Sequence, residues 1–182
     1  MTPSVLHLAN IWVGFKSGGG GDDGANSIDG SSDRGGDDGS TEFDLRAEVF
    51  KNGVLVGSGQ LNNVSGGGLG LNNAILRSIG LAFSSSNITL VSSDKLSIRL
   101  SVRISGDDER ADRPARKATA RLWFNNSRVN SRFDATVNGV NPTFYLRDDF
   151  LLATSLGVPP KNIDVSPTGT FQPFGTWTFT QP

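Results

Sequence analysis

The sequence predicts an all-β protein, an antiparallel β-sandwich of jelly-roll-like form that takes up residues 1–182 as a single domain. Three observations support this expectation: a hairpin with an Asn-Gly turn, a strictly alternating segment at 95–104, and further short alternating segments separated by turn residues. A chain of 182 residues is long enough to bury a substantial core. Many of its 23 glycines lie in two loops, so the remaining sequence is richer in core-forming residues than the average composition suggests.

The first predicted strand, at residues 5–15, is apolar on both faces. One face carries Val5, His7, Ala9, Ile11, Val13 and Phe15, and the other carries Leu6, Leu8 and Trp12. A strand of this kind needs cover on both sides. Two interpretations follow: it is a central strand of the domain's own sheet, or it is a terminal strand that completes the sheet of another subunit by strand addition.

Residues 17–41 consist almost wholly of Gly, Asp and Ser, which predicts a long loop inserted after the first strand. Calcium takes about six to eight oxygen ligands from flexible groups, so this acidic loop is the best metal candidate. The candidate ligands are Asp22, Asp23, Asp29, Asp37 and Asp38. The alternative is a solvated acidic loop, because the spacing matches no EF-hand and a partial nonapeptide-repeat match at 18–23 has no tandem copy.

Residues 43–59 predict a β-hairpin. Apolar residues alternate with charged ones before the turn, at Phe43, Leu45, Ala47 and Val49. Asn52-Gly53 then forms a two-residue turn, since type I′ geometry needs positive φ at both central positions. Val54 and Val56 begin the return strand.

Two later segments carry the clearest alternation. Residues 95–104 place Leu96, Ile98, Leu100, Val102 and Ile104 inward, and Ser97, Arg99, Ser101 and Arg103 outward. The segment KATARLWFNN, which follows an acidic and basic loop at 106–117, places Ala118, Ala120, Leu122 and Phe124 on one face and Thr119, Arg121 and Trp123 on the other. Residues 73–83 are less regular and fit a strand or a short helical turn.

Shorter strands are expected at residues 132–137, 143–146 and 174–180. In the last of these, Trp177 and Phe179 lie on the face opposite Thr176, Thr178 and Thr180. The segment DDFLLATSLG, at residues 148–157, fits one helical turn.

The net charge of −1 conceals a separation of charge along the chain. Basic residues gather between Lys95 and Arg132, and we expect Arg99, Arg103, Arg121 and Trp123 to share an exposed face if their two strands are neighbours. With Trp12, these are the candidate ligand-binding or partner-binding residues, because Arg and Trp are enriched in interfaces.

An acidic loop and a basic face attract each other, either within one molecule or between molecules. Nucleic acid is not expected, since the chain is slightly acidic and has no recognition motif.

The sequence predicts no catalytic site. Its one histidine, His7, lies on an apolar face without an identifiable partner, and no nucleophile elbow, Walker motif or dinucleotide fingerprint occurs. The adjacent Asp148 and Asp149 point to opposite faces of a strand, which is wrong for a glycosidase pair. The absence of cysteine removes disulfides and thiolate chemistry, and no apolar run is long enough for a membrane helix.

The C-terminal half resembles segments of secreted bacterial β-sandwich domains of uncharacterised function. The resemblance rests on ATARLWFNNSRVNSRFDATVNG at 118–139, YLRDDFLL at 145–152 and FGTW at 174–177. It implies export from a bacterium and a jelly-roll-like sandwich. It brings no family active site, and the N-terminus lacks the features of a signal peptide.

Three functional hypotheses follow. The leading one is a non-catalytic extracellular or cell-surface structural protein that self-associates, or joins another surface protein, by strand addition or charge complementarity. The second is a carbohydrate-binding module that stacks sugars on Trp123 or Trp12 and holds calcium in the acidic loop. The third is a glycoside-active enzyme, which would need two loop carboxylates about 5–10 Å apart across a cleft.

Overall fold

The computed structural model describes residues 7–17, 41–65, 68–84, 91–105, 118–135 and 141–179. The strands are β1 (His7–Ser17), β2 (Phe43–Lys51), β3 (Val54–Val64), β4 (Ile75–Phe83), β5 (Leu96–Ile104), β6 (Ala118–Phe124), β7 (Arg132–Asp134), β8 (Thr143–Leu146), β9 (Leu152–Ala153), β10 (Lys161–Val165) and β11 (Gln172–Phe179). One short 3₁₀ turn at Leu71–Asn73 is the only helical element in these ranges. The predicted all-β, antiparallel class is confirmed.

The strands form one antiparallel sheet in the order β11-β5-β2-β3-β4-β1-β7-β8-β9, with β6 between β1 and β10. We call β1, β4 and β6–β10 the β1 half, and β2, β3, β5 and β11 the β2 half. Strand β4 joins them, because its 75–81 part pairs with β1 and its end pairs with β3. A bridge between Leu151 and Thr178 links the far strands, so the sheet is nearly closed and barrel-like. Its description as a sandwich stays a prediction.

Strand β1 lies inside the sheet. Residues 7–13 pair with β4 along one edge. The other edge pairs with β7 at residues 8–10 and then with β6 at residues 12–17. Both edges are thus occupied by strands of the same chain, which agrees with the central-strand interpretation of this segment.

The predicted β2–β3 hairpin is confirmed. Asn52 and Gly53 have φ angles of 51° and 80°, and Lys51 lies opposite Val54 across the turn. The Asn52 side chain donates to Asp94 at 2.7 Å and accepts from the Lys95 N–H at 2.8 Å, which ties the turn to the start of β5. Hydrogen bonds from the Val91 N–H, Asn52 and Lys51 lower the pKa of Asp94.

The core collects the inward faces of both halves, and the apolar residues expected to point inward on β1, β2, β5 and β6 are buried there, except Ile104, which is half-buried; Ser101, which was expected to point outward, is also buried. The buried members of the core include Ala9, Ile11, Val13, Phe15, Phe43, Leu45, Ala47, Val49, Leu96, Ile98, Leu100, Val102, Ala118, Ala120, Leu122 and Phe124. The rings of Phe15 and Phe43 stack with their centroids 4.4 Å apart and join the two halves. In β11 a bulge between Pro173 and Gly175 breaks simple alternation, so Phe174 and Trp177 are both buried.

The segment at 148–157 differs from the helical turn that its sequence suggested. The Phe150 N–H donates to the Arg147 carbonyl and the Arg147 N–H donates to the Leu151 carbonyl, which closes a tight turn before the short β9. Phe150 has a φ of 59°, which a helix does not allow. The ambiguous segment at 73–83 forms a strand, β4, after a 3₁₀ turn.

Candidate functional site

The expected shared basic face does not form. Strand β5 lies between β2 and β11, whereas β6 lies between β1 and β10. Arg99 and Arg103 are therefore on the β2 half, and Arg121 and Trp123 are on the β1 half. The shared face was expected only if the two strands are neighbours, and that condition is not met. Alternation tells which face a residue occupies, whereas strand order depends on pairings between distant segments.

Arg121 and Trp123 hold a loop of their own chain. The Trp123 Nε1–H and one amino group of Arg121 both donate to the Leu69 carbonyl, at 3.2 and 3.0 Å. Arg121 also forms a two-bond ion pair with Asp164, which raises the pKa of Arg121. Trp123 is only 8% exposed. It is therefore unsuited to be the stacking surface that the sequence analysis considered.

Arg99 and Arg103 make cross-strand ion pairs with β2. Arg103 Nε lies 2.7 Å from a carboxylate oxygen of Asp44, which is buried. Arg99 lies 3.8 Å from Glu48 and remains 44% exposed. Its guanidinium carbon also lies 4.7 Å from the centre of the Phe50 ring. Of these two arginines, Arg99 has the larger exposed fraction.

Trp12 keeps part of its surface on the outer face of the β1 half, the face turned away from the core. Its Nε1–H donates to the Asn130 side-chain oxygen at 3.0 Å, and its backbone N–H donates to Ser131 Oγ at 2.8 Å. Leu76, which lies opposite Trp12 on β4, is 37% exposed. The Trp12 ring is therefore fixed in place beside an open surface.

A row of polar side chains runs across four strands next to Trp12. We call it the polar ladder, and it consists of Ser78 on β4, Asn10 on β1, Asp134 on β7 and Thr143 on β8. Ser78 Oγ donates to Asn10 at 2.5 Å, and Asn10 Nδ2 donates to Asp134 at 2.6 Å. Thr143 Oγ1 donates to the other Asp134 oxygen at 2.7 Å. Ser78 lies directly opposite Asn10, and Thr143 lies directly opposite Asp134, whereas Asn10 and Asp134 meet as diagonal neighbours on the same face.

Arg132 connects the polar ladder to Trp12. Its Nε donates to Asp134 at 3.1 Å, and its Nη1 donates at 3.0 Å to the same Asn130 oxygen that Trp12 contacts. Across β7, Arg132 lies opposite Asn10 on one side and Tyr145 on the other. Trp12, Arg132, Tyr145 and the polar ladder together form what we call the outer-face site.

Of the residues in this site, only Trp12 is a candidate that the sequence pattern predicts. Alternation does place Asn10 on the same face as Trp12, so that pair was within reach of the sequence. Arg132 and Asp134 join it through the pairing of β7 with β1, across more than 100 residues, which no local pattern records. Thr143 and Tyr145 then join through the pairing of β8 with β7.

His7 lies on the inward face at the start of β1. Its ring meets the edge of Phe83 at a centroid distance of 4.2 Å and stacks near Phe133 at 6.0 Å. Burial lowers the pKa of His7. An aromatic environment of this kind indicates that His7 packs against the core. This agrees with the expectation that His7 has a structural rather than a catalytic role.

The predicted calcium ligands Asp22, Asp23, Asp29, Asp37 and Asp38 lie outside the described residues. Within the ranges that the structure does describe, no group of three or more acidic or histidine side chains is arranged to hold a metal ion. Over the same ranges, no helix has the length and apolar character needed to cross a membrane.

Comparison with protein-family models, with curated proteins and with solved structures finds no match to this chain. The resemblance to secreted bacterial β-sandwich domains therefore stays an expectation.

Proposed function

We propose that the protein is a non-catalytic binding module that recognises carbohydrate at the outer-face site. The observation that carries the proposal is the fixed, partly exposed Trp12 beside the polar ladder and Arg132. Ligand sites combine an aromatic surface with a few placed polar groups that set orientation. Aromatic rings cover the apolar faces of sugars, and Asn, Asp, Arg and Thr side chains match hydroxyl groups as donors and acceptors.

The form of the site favours an extended sugar chain. The polar ladder crosses β4, β1, β7 and β8, which is a distance of about 14 Å at the usual spacing of strands. Asn10 is buried at the centre of the row, whereas Ser78 is exposed and Asp134 and Thr143 are half-buried, so that a sugar chain lying across the row contacts Ser78, Asp134 and Thr143. The Asp134 carboxylate accepts hydrogen bonds from Asn10, Arg132 and Thr143. These three bonds hold the carboxylate in one orientation, which fits a role in binding a ligand better than a role in catalysis.

Self-association is our second proposal. It is favoured by exposed apolar side chains near the β2–β3 turn, where Val54, Leu55 and Val91 are 65%, 49% and 57% exposed. Exposed apolar groups of this kind mark association sites when they are contiguous. Strand addition through β1 is not part of this proposal, because both edges of β1 are already paired.

Three finer expectations from the sequence also stay proposals. They are a jelly-roll-like sandwich architecture, an extracellular or cell-surface location, and calcium binding by the acidic loop. The first two are supported by the resemblance to secreted bacterial domains, and the third by the carboxylate density of residues 17–41.

A glycan array with and without calcium, followed by calorimetric titration of any ligand found, tests the proposed function. We expect Trp12→Ala to weaken binding by about fivefold or more, since an aromatic contact of this type is worth about 1 kcal/mol or more. Phe50→Ala, on the outer face of the β2 half, is the matched control and should bind normally. Absence of binding under both conditions would refute the proposal, as would equal affinity of Trp12→Ala and the wild type.

A further inference from the structure

Two arginines share one aromatic ring on the outer face of the β2 half. The guanidinium carbon of Arg46 lies 3.8 Å from the centre of the Phe171 ring, and that of Arg103 lies 4.6 Å from it. Arg46 is on β2 and Arg103 on β5, and Phe171 comes directly before β11. We call these three residues the arginine stack.

The two guanidinium groups differ in how their charges are compensated. Arg103 is paired with Asp44, whose other oxygen accepts the Asn63 N–H at 3.1 Å. Within the described part of the chain, Arg46 donates a hydrogen bond to the neutral Gln60 side chain, at 3.3 Å. Among the described residues no carboxylate forms an ion pair with Arg46, and the neighbouring Glu48 is paired with Arg99.

The chemistry of this arrangement selects a carboxylate. A guanidinium group that lies over an aromatic ring keeps its in-plane N–H donors, and these donors fit the two oxygens of a carboxylate. Stacking also holds Arg46 in one orientation, so less side-chain entropy is lost when an anion binds. The arginine stack is therefore preformed for an acidic side chain.

The chain itself contains a segment with the matching charge. Residues 18–40 carry six aspartates, at positions 22, 23, 29, 33, 37 and 38, against the single Arg34. Fully extended, a segment of this length spans at most roughly 75 Å, whereas a domain of this size has a radius of gyration of about 16 Å. The segment is therefore long enough to contact a neighbouring molecule.

We propose that the arginine stack of one molecule binds the acidic segment, residues 18–40, of a second copy of this chain. The proposal rests on charge complementarity. The contact joins two different surfaces, the arginine stack of one molecule and the acidic segment of the next. Such heterologous contacts produce rings or open chains of molecules. The arginine stack and the outer-face site involve different residues, so failure here leaves carbohydrate binding untouched, and failure of carbohydrate binding leaves this proposal untouched.

Sedimentation velocity of the full-length protein at about 50 and about 500 mM salt tests the association. We expect concentration-dependent oligomers at low salt that dissociate at high salt. Arg46→Gln should weaken association by about tenfold, the value of one charge-assisted interaction. Arg99→Gln is the matched control, because it removes the same charge from the same face without touching the stack, and it should change association by less than about twofold.

A labelled synthetic peptide with the sequence of residues 18–40 identifies the occupant. We expect the wild type to bind this peptide, and Arg46→Gln to bind it about tenfold more weakly. Monomers at every concentration, or equal effects of Arg46→Gln and Arg99→Gln, would overturn the proposal. A further outcome would also overturn the proposal: the peptide binds a full-length variant whose own six aspartates are replaced by Asn, but does not bind the wild type. In that case the acidic segment of the wild type already occupies the arginine stack of its own molecule. Binding of a polyuronate oligosaccharide without binding of the peptide would overturn it in favour of an anionic sugar.

Discussion

Arg121 and Asp164 face each other across β6 and β10 in a two-bond ion pair, with Nε–Oδ1 and Nη2–Oδ2 distances of 2.6 and 2.7 Å. The third nitrogen, Nη1, donates to the Leu69 carbonyl. Arginine is suited to this role because its planar group presents several donors in a fixed arrangement. The ion pair thus holds Arg121 against the segment at 68–70, which lies over Trp123, so that Arg121 and Trp123 are both engaged within the chain.

Replacing Arg121 should cost more stability than replacing its partner. We expect Arg121→Leu to lower the free energy of unfolding by about 1–3 kcal/mol, because the Leu69 carbonyl and the ion pair are both lost. Asp164→Asn should cost less than about 1 kcal/mol, since Asp164 is 42% exposed. Urea denaturation measures both values. A larger loss for Asp164→Asn would show that Arg121 does not hold the 68–70 segment.

The close approach of β3 and β4 requires a glycine on only one side. A Cβ atom built on Gly59 would lie 1.9 Å from the Gly80 carbonyl oxygen, whereas one built on Gly80 has no atom within 4 Å. We expect Gly59→Ala to cost at least about 2 kcal/mol, since a paired backbone cannot move aside cheaply. Gly80→Ala should stay within about 0.5 kcal/mol of the wild type. Equal thermal denaturation midpoints for the two variants would contradict this packing.

The stability of the protein should fall at mildly acidic pH because of His7. Burial lowers the pKa of His7 below its ordinary value of 6.5, so the unfolded chain binds the proton more readily than the folded one. The neutral ring contributes its full stability above pH 6.5, and this contribution is lost as the pH falls from there through the lower pKa of the folded state. Unfolding free energies at pH about 7.5 and about 5.5 should differ less in His7→Phe than in the wild type. Identical differences would show that His7 does not couple to folding.

A substitution in the polar ladder should destabilise the protein most at neutral pH, the reverse of the pH dependence that His7 causes. In Asn10→Asp a carboxylate replaces the amide whose nitrogen lies 2.6 Å from Asp134, so two like charges meet. We expect a loss of about 2 kcal/mol at neutral pH that shrinks as the pH falls, because one of the two carboxyl groups then takes a proton. Asn10→Leu should also destabilise, but by an amount that changes little with pH. A pH-independent cost for Asn10→Asp would contradict the ladder geometry.

Local chemistry made several elements predictable from the sequence. Asn52-Gly53 specifies its own turn, because few other residue pairs accept positive φ at both positions. Strict alternation in β5 follows from a period of two and a single buried face. These features depend on a few neighbouring residues, and the structure agrees with them.

The candidate site was less predictable because it depends on contacts between distant segments. Alternation places Trp123 on an outward face, but the Leu69 segment, more than 50 residues away in the chain, covers it. Asp134 gains its role from Asn10, which is 124 residues away. Alternation predicts which face of the sheet each of these side chains occupies. Which side chains become neighbours depends on the pairing of β1 with β6 and β7.

The most direct test of carbohydrate binding at the outer-face site uses the three tryptophans of the chain, each of which gives one indole N–H signal in a nitrogen–proton correlation spectrum. Trp123 and Trp177 are buried, and their indoles donate to backbone carbonyls. During titration with a polysaccharide fragment selected on the array, we predict that the Trp12 signal moves, together with backbone signals of Arg132, Thr143 and Tyr145. A Trp12 signal that stays in place while the fragment binds would contradict recognition at this face.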